Sequence, residues 1–153
     1  MIKYVVGDAT NPQGEGEKYI IHVSNDIGGW GRGFVLALSK KWKEPEKIYR
    51  EQKEYVLGKI QMIRVEPDIC VINMIAQHDV KPTKGADNLI IPPIRYDALL
   101  ACLRTINKIA ITTGATIHAP RFGSGLAGGN WDTIEKIINE ALPTIDVTVY
   151  NFK

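Results

Sequence analysis

Short apolar runs alternate along the chain with longer segments in which apolar residues return every three or four positions, and the two periods predict a series of strands and helices. Ile2 to Val6 is β-rich and stops at Gly7-Asp8; after the turn-rich Asn11 to Gly16, Tyr19 to Val23 reads as a second strand, apolar enough for burial on both faces. Phe34, Ala37, Leu38 and Trp42 recur at helical spacing. A second helix is expected from Pro45, which a first turn tolerates, to about Leu57 before Gly58. Lys59 to Val65 and Ile69 to Ile75 predict two strands joined through Glu66-Pro67-Asp68. Residues 78 to 93 hold three prolines and a glycine and are expected to form an irregular loop. Tyr96, Leu99, Leu100, Leu103, Asn107 and Ala110 trace one face of a long helix ending before Gly114, and Thr116 to Ala119 is a short strand. Trp131, Ile134, Ile137, Ile138 and Leu142 mark a last helix with Asn130 as its N-cap, followed by the strand Val147 to Tyr150. About six strands interleaved with about four helices predict an α/β fold, a three-layer α/β/α sandwich around a mixed central sheet, with strand order left open.

Composition narrows the class. A chain of 153 residues, 44% hydrophobic and 24% charged, fits one soluble domain spanning 1–153 that can bury a full core without disulfides or metals. Cys70 and Cys102 lie in apolar runs with no CxxC spacing and no clustered histidine, so they read as core residues in a reducing compartment, and no metal or cofactor is expected. A net charge of +2 and a single basic run, Lys40-Lys41-Trp42-Lys43, give little support to RNA binding. No apolar stretch approaches the ~18 residues needed to span a bilayer, so a cytoplasmic location with no membrane partner is expected.

Eight of the 14 glycines fall in two short loops: Gly28, Gly29, Gly31 and Gly33, then Gly123, Gly125, Gly128 and Gly129. Each loop is expected to follow a strand and open a helix, where outward-facing N–H groups and the helix dipole favour a phosphate. One such loop suits one phosphate group; two in the same sheet suit a diphosphate. Plain turn punctuation is the competing explanation, weaker for two loops than for one. Gly123 to Gly128 matches G-x-G-x-x-G, but only about 25 residues follow and Asp146 begins the next strand rather than ending it, which argues against a dinucleotide fingerprint.

Taken together, Val6-Gly7-Asp8, His22-Val23-Ser24-Asn25-Asp26 leading into Gly28-Gly29-Trp30-Gly31-Arg32-Gly33, Pro120 to Leu126 and the closing Tyr150 resemble the macrodomain family of ADP-ribose-binding modules over essentially the whole chain. His22-to-Asn25 spacing, Gly-x-Trp-Gly and Leu57-Gly58-Lys59 look most like the branch of ADP-ribose-1''-phosphate phosphatases and terminal ADP-ribose glycohydrolases. The resemblance implies that Asp8, with Ala9 beside it, accepts from the adenine amino group and that Asn25 bonds the distal ribose. Gly31, Arg32, Gly33 and Phe34 would form one phosphate wall, and Gly123, Ser124, Gly125 and Leu126 the other. Phe122, Tyr150 and Phe152 become candidates for packing on adenine or ribose, and Trp30, set among glycines with little core to bury it, for lining the cleft. Asp8 and Asn25 also suit turns, and any of the three aromatics suits core or surface packing.

The resemblance departs where chemistry would occur. Gln77 stands where the glycohydrolases carry a lysine, and Ala127 where they carry an aspartate. An amide forms no Schiff base and alanine moves no proton, so lysine-dependent deribosylation is expected to be absent, unless Lys81 or Lys84 reaches in from the following loop. His22, whose ordinary pKa suits proton transfer, is the candidate catalytic residue for phosphatase-like or deacetylase-like chemistry on the 1''-phosphate or O-acetyl derivative, with Asp26 or Asp79 orienting it. A buried histidine bonded to backbone is the alternative. The expected ligand is ADP-ribose or a derivative. The rival functions are a non-catalytic reader of ADP-ribosylated protein or nucleic acid and, from another class, a nicotinamide-dinucleotide oxidoreductase domain.

Overall fold

A computed structural model describes residues 2–125 and 127–152. The strands are β1 (Ile2–Val6), β2 (Lys18–Asn25), β3 (Ile60–Glu66), β4 (Ile69–Gln77), β5 (Thr83–Lys84), β6 (Ile90–Ile91), β7 (Thr116–Pro120) and β8 (Val147–Asn151). The helices are α1 (Phe34–Lys41), α2 (Glu44–Arg50), α3 (Tyr96–Thr113) and α4 (Trp131–Ala141). Six strands form one sheet in the order β1-β8-β7-β2-β4-β3, all neighbours parallel except β3, which runs antiparallel to β4. The expected mixed α/β sheet is therefore present.

Both faces of the sheet are covered because the two central strands are apolar on both sides. Tyr19 and Ile21 of β2, with Cys70, Ile72 and Met74 of β4, join Leu99, Leu103, Ile106, Ile134 and Ile138 of α3 and α4 in one core. The alternate residues Ile20, Val71 and Ile75 face the other way, onto Leu38 of α1, Tyr49 of α2, Trp30 and Trp42. Cys70 and Cys102 are free and buried. Gly114 ends α3 in the left-handed conformation at φ 74°, and the Asn130 side chain accepts from Thr133 N–H at 3.2 Å to start α4, as the spacing predicts. No helix among the described residues is long and apolar enough to cross a membrane.

Two expectations are corrected. The second helix stops at Arg50 rather than near Leu57. Glu51 to Glu54 offers no apolar position to extend the stripe that ends in buried Tyr49. The Gln52 side chain instead donates to Tyr49 O at 3.0 Å, and the chain turns back so that the Tyr55 ring lies 5.1 Å from that of Tyr49. The 78–93 segment is not wholly irregular, since Thr83 pairs with Ile91 and Lys84 with Ile90 in a two-residue antiparallel ladder.

The α1–α2 layer is held to the sheet by the smaller of the two cores, so that core should be sensitive to truncation. Leu38 is fully buried between α1 and the sheet. Leu38→Ala is expected to cost about 2–5 kcal/mol in urea unfolding, without the compensating collapse that an exposed helix would allow.

Candidate ligand-binding cleft

Parallel pairing places the carboxyl ends of β2, β7 and β4 at one edge of the sheet. From β2 the chain leaves for the face covered by α1 and α2; from β7 it leaves for the face covered by α4. Where neighbouring parallel strands send their connections to opposite faces, the loops part and leave a crevice. Both glycine loops rise from that point, and a cavity of about 460 Å³ opens beside the first. Its walls are the end of β2 from Val23 to Asn25, the loop residues Gly29 to Arg32, Val35 of α1, Gln77 at the end of β4, and Val80 and Lys81 beyond it.

Asn25 shapes the first loop. Its Oδ1 accepts from Ile27 N–H at 3.0 Å, Gly29 N–H at 2.9 Å and the Tyr49 hydroxyl at 2.7 Å, while its Nδ2 donates to Gly29 O at 2.9 Å. A side chain at Gly29 would begin 2.9 Å from Asn25 Nδ2, so this glycine serves close packing. Gly33, at φ 76°, caps α1 in a conformation other residues resist, and no side chain caps the helix's first turn. In the second loop, Gly129 N–H donates to Gly123 O at 2.7 Å and Gly128 N–H to Gly125 O at 3.0 Å. A Cβ at Gly123 would meet Ile94 and Ile134 at 3.1 Å. Gly31 and Gly125 differ from all of these: neither has a positive φ, and a Cβ on either would find nothing within 4 Å.

The sequence-based candidates separate into two groups. Asn25, Trp30, Gly31 and Arg32 line the cavity; Gly33 and Phe34 follow directly at the start of α1. Trp30 is also a core residue, 4% exposed, with its ring 5.2 Å from Tyr49 and its indole N–H donating to Ser39 Oγ at 2.7 Å. The expectation that little core exists to bury it is corrected, because α2 folds over the loop. Asp8 is exposed, and its Oδ1 accepts from Thr10 N–H and hydroxyl at 2.9 and 2.8 Å; Ala9 beside it is buried. Phe122 is buried against Trp131. The buried Tyr150 hydroxyl accepts from Gln13 N–H and meets His118 Nδ1, both at 2.8 Å. Ser124 and Gly125 sit in the second loop, whereas Leu126 lies outside the described residues. Gln77 and Lys81 do reach the cavity; Lys84 is held in the β5–β6 ladder.

His22, expected beside the cleft, is instead 2% exposed beneath α1, its ring 5.5 Å from Trp30 and 5.9 Å from Phe34. Asn73 Nδ2 donates to Pro45 O and Gln61 Oε1, which leaves Asn73 Oδ1 to accept from His22 Nε2 at 2.5 Å. Burial pushes the His22 ring down to about 4 against that hydrogen bond, so it is neutral across physiological pH. Asp26 engages both oxygens, Oδ1 with Asp79 N–H and Oδ2 with His78 Nδ1, each at 2.7 Å. Burial opposes its charge, but these two partners hold the carboxyl below its ordinary value. The cavity residues that sequence reasoning missed are Val23, Ser24, Gly29, Val35 and Val80. Gly29 carried a signal through its place in the first glycine loop, and Val23 and Ser24 stood in the motif His22 to Asp26 without a role of their own.

No family profile matches the chain. A structure of a protein of unknown function from Bacteroides thetaiotaomicron is 51% identical, with a TM-score of 0.91 over 98% of this chain and 97% of that one. A macrodomain protein from Streptomyces coelicolor is 42% identical, with a TM-score of 0.83 over 99% of each chain. Chromodomain-helicase-DNA-binding protein 1-like of Danio rerio is 33% identical over 99% of this chain but 16% of that protein. The chain thus spans about a sixth of the length of the curated relatives it matches first. At 16% identity the fold extends to Thermosipho africanus DarTG, solved in complex with ADP-ribose, with a TM-score of 0.68 over 88% of this chain and 38% of that one.

The buried histidines make an acid-sensitive fold. Burial lowers both His22 and His118 from 6.5 to about 4, so between those values the unfolded chain binds more protons than the folded one. Stability is therefore full above pH 6.5 and falls as the pH drops toward 4, by up to about 1.4 kcal/mol per unit for each ring. Urea midpoints should decline from pH 7 to pH 5, and His22→Gln should flatten that slope; a pH-independent midpoint would contradict the assignment.

Proposed function

The chain belongs to the macrodomain family, and on that premise we propose that its cleft binds ADP-ribose, or a molecule carrying it, with the diphosphate gripped by main-chain amides of both glycine loops. The observation that carries this reading is the pair Gly31 and Gly125. Neither a positive φ nor any neighbour among the described residues requires glycine at these two positions, one in each loop. Close approach of a ligand to the backbone does. The DarTG neighbour, which holds ADP-ribose, lends the same fold to that ligand.

In this reading Gly31 to Phe34 and the uncapped first turn of α1 form one phosphate wall, and Ser124 and Gly125 the other. Asp8, engaged with Thr10 through one oxygen, would accept from the adenine amino group through the other. The distal ribose would fill the cavity, where Asn25 Nδ2 keeps one N–H beyond its bond to Gly29. Arg32 and Lys81 are the charged residues on the cavity wall among the described residues, and both are exposed. They favour an anionic substituent on that ribose, a 1''-phosphate over an O-acetyl group. The burial of His22 and the double engagement of Asp26 support binding over turnover, and hence a reader of ADP-ribosylated molecules. Phe122, Tyr150 and Ala9 then serve packing.

Calorimetric titration tests the reading. ADP-ribose should bind more tightly than intact NAD, and Gly31→Ala or Gly125→Ala should weaken it by about tenfold or more, ~1.4 kcal/mol. The same substitutions should leave stability unchanged or raise it slightly, since Gly→Ala at a compatible position restricts the unfolded chain. Full affinity in both variants would remove the main support.

A further inference from the structure

Resting on that reading, we infer that Asp26 and His78 are positioning residues: together they latch the segment 77–81 over the inner end of the cavity, so that Val80 and Lys81 read the distal ribose and what it carries. The parallel register pairs Asn25 with Gln77, which brings the next residues of the two strands, Asp26 and His78, side by side as the chains leave the sheet. The Asp26 carboxylate then bridges two consecutive residues of the segment, accepting from Asp79 N–H through Oδ1 and meeting His78 Nδ1 through Oδ2, both at 2.7 Å. Asp26's side chain is 13% exposed and His78's 46%, so the carboxylate is sheltered while the imidazole stays half-exposed.

Neighbouring contacts show that the segment is held in one shape. Asp79 sits at φ 61°, a left-handed conformation that a non-glycine residue keeps only when its surroundings impose it. Gln77 Nε2 donates to Asp79 O at 3.0 Å, the Asp79 side chain accepts from Val80 N–H at 2.5 Å, and His78 N–H donates to Pro93 O at 2.8 Å. Val80 then lies against the first loop, its Cγ1 3.5 Å from where a side chain on Gly29 would begin, and both Val80 and Lys81 form cavity wall. Without the Asp26 bridge, nothing else on the first loop hydrogen-bonds this segment among the described contacts. Asp26 and His78 themselves stay off the cavity wall, so their effect on a ligand passes through Val80 and Lys81.

The test compares two probes that differ only at the distal end. Wild type, Asp26→Ala and His78→Ala are titrated with ADP-ribose and with ADP. Wild type should prefer ADP-ribose by about tenfold or more. Both variants should bind ADP as wild type does while their preference for ADP-ribose shrinks severalfold, a selective loss that general destabilisation does not produce. His78→Ala alters an exposed ring and keeps the test open if Asp26→Ala fails to fold. If the folded variants keep the wild-type preference, or lose both ligands in parallel, the latch is refuted while the binding reading stands. If wild type binds neither probe, the binding reading itself fails and the latch with it.

Discussion

The parallel pairing of β2 with both β4 and β7 is the constraint on which everything else depends. It brings three strand ends to one edge and sends their connections to opposite faces. The near-continuous burial of β2 and β4 enforces it, because strands apolar on both faces have no stable place except mid-sheet. The crevice follows from topology. Side chains then decide its lining, and Asn25 is the most consequential of them, since its amide ties the first loop to itself and to α2 through Tyr49.

The site is built in two layers. Behind the wall lies a buried polar chain, Asn73 to His22, with Trp30, Phe34 and Tyr49 packed around it. In front lie glycines, the apolar Val23, Trp30, Val35 and Val80, two exposed cations and few other polar groups. A neutral imidazole under the loop fits this division: a charge there would lack solvation, and burial lowers the ring accordingly. Such a wall suits recognition by shape and by backbone dipoles, with the side chains behind it supplying rigidity.

Much of this was legible in the sequence, and the exceptions share a cause. Strand and helix positions followed from local periodicity, as at α3, where the apolar stripe and Gly114 mark both face and end. The overlong second helix arose because residues 51–54 are good helix formers; the competing turn depends on Tyr55 returning to Tyr49, which no local pattern reveals. The two glycine loops stood out by density alone. Density could not say that Gly29 and Gly123 make room for Asn25, Ile94 and Ile134 while Gly31 and Gly125 face open space. His22 was misplaced for the same reason. Alternation along β2 assigns it a face, but whether that face opens on the cleft or on a core depends on where α1 and α2 dock.

In the proposed complex both loops meet one ligand through their amides. Chemical-shift perturbation of the ¹⁵N-labelled protein on adding ADP-ribose tests it most directly. Amide resonances of Gly31 to Phe34 and of Ser124 and Gly125 should shift together along one saturation curve. Shifts confined to one loop, or centred at the opposite end of the sheet around Gly114 to Thr116, would contradict it.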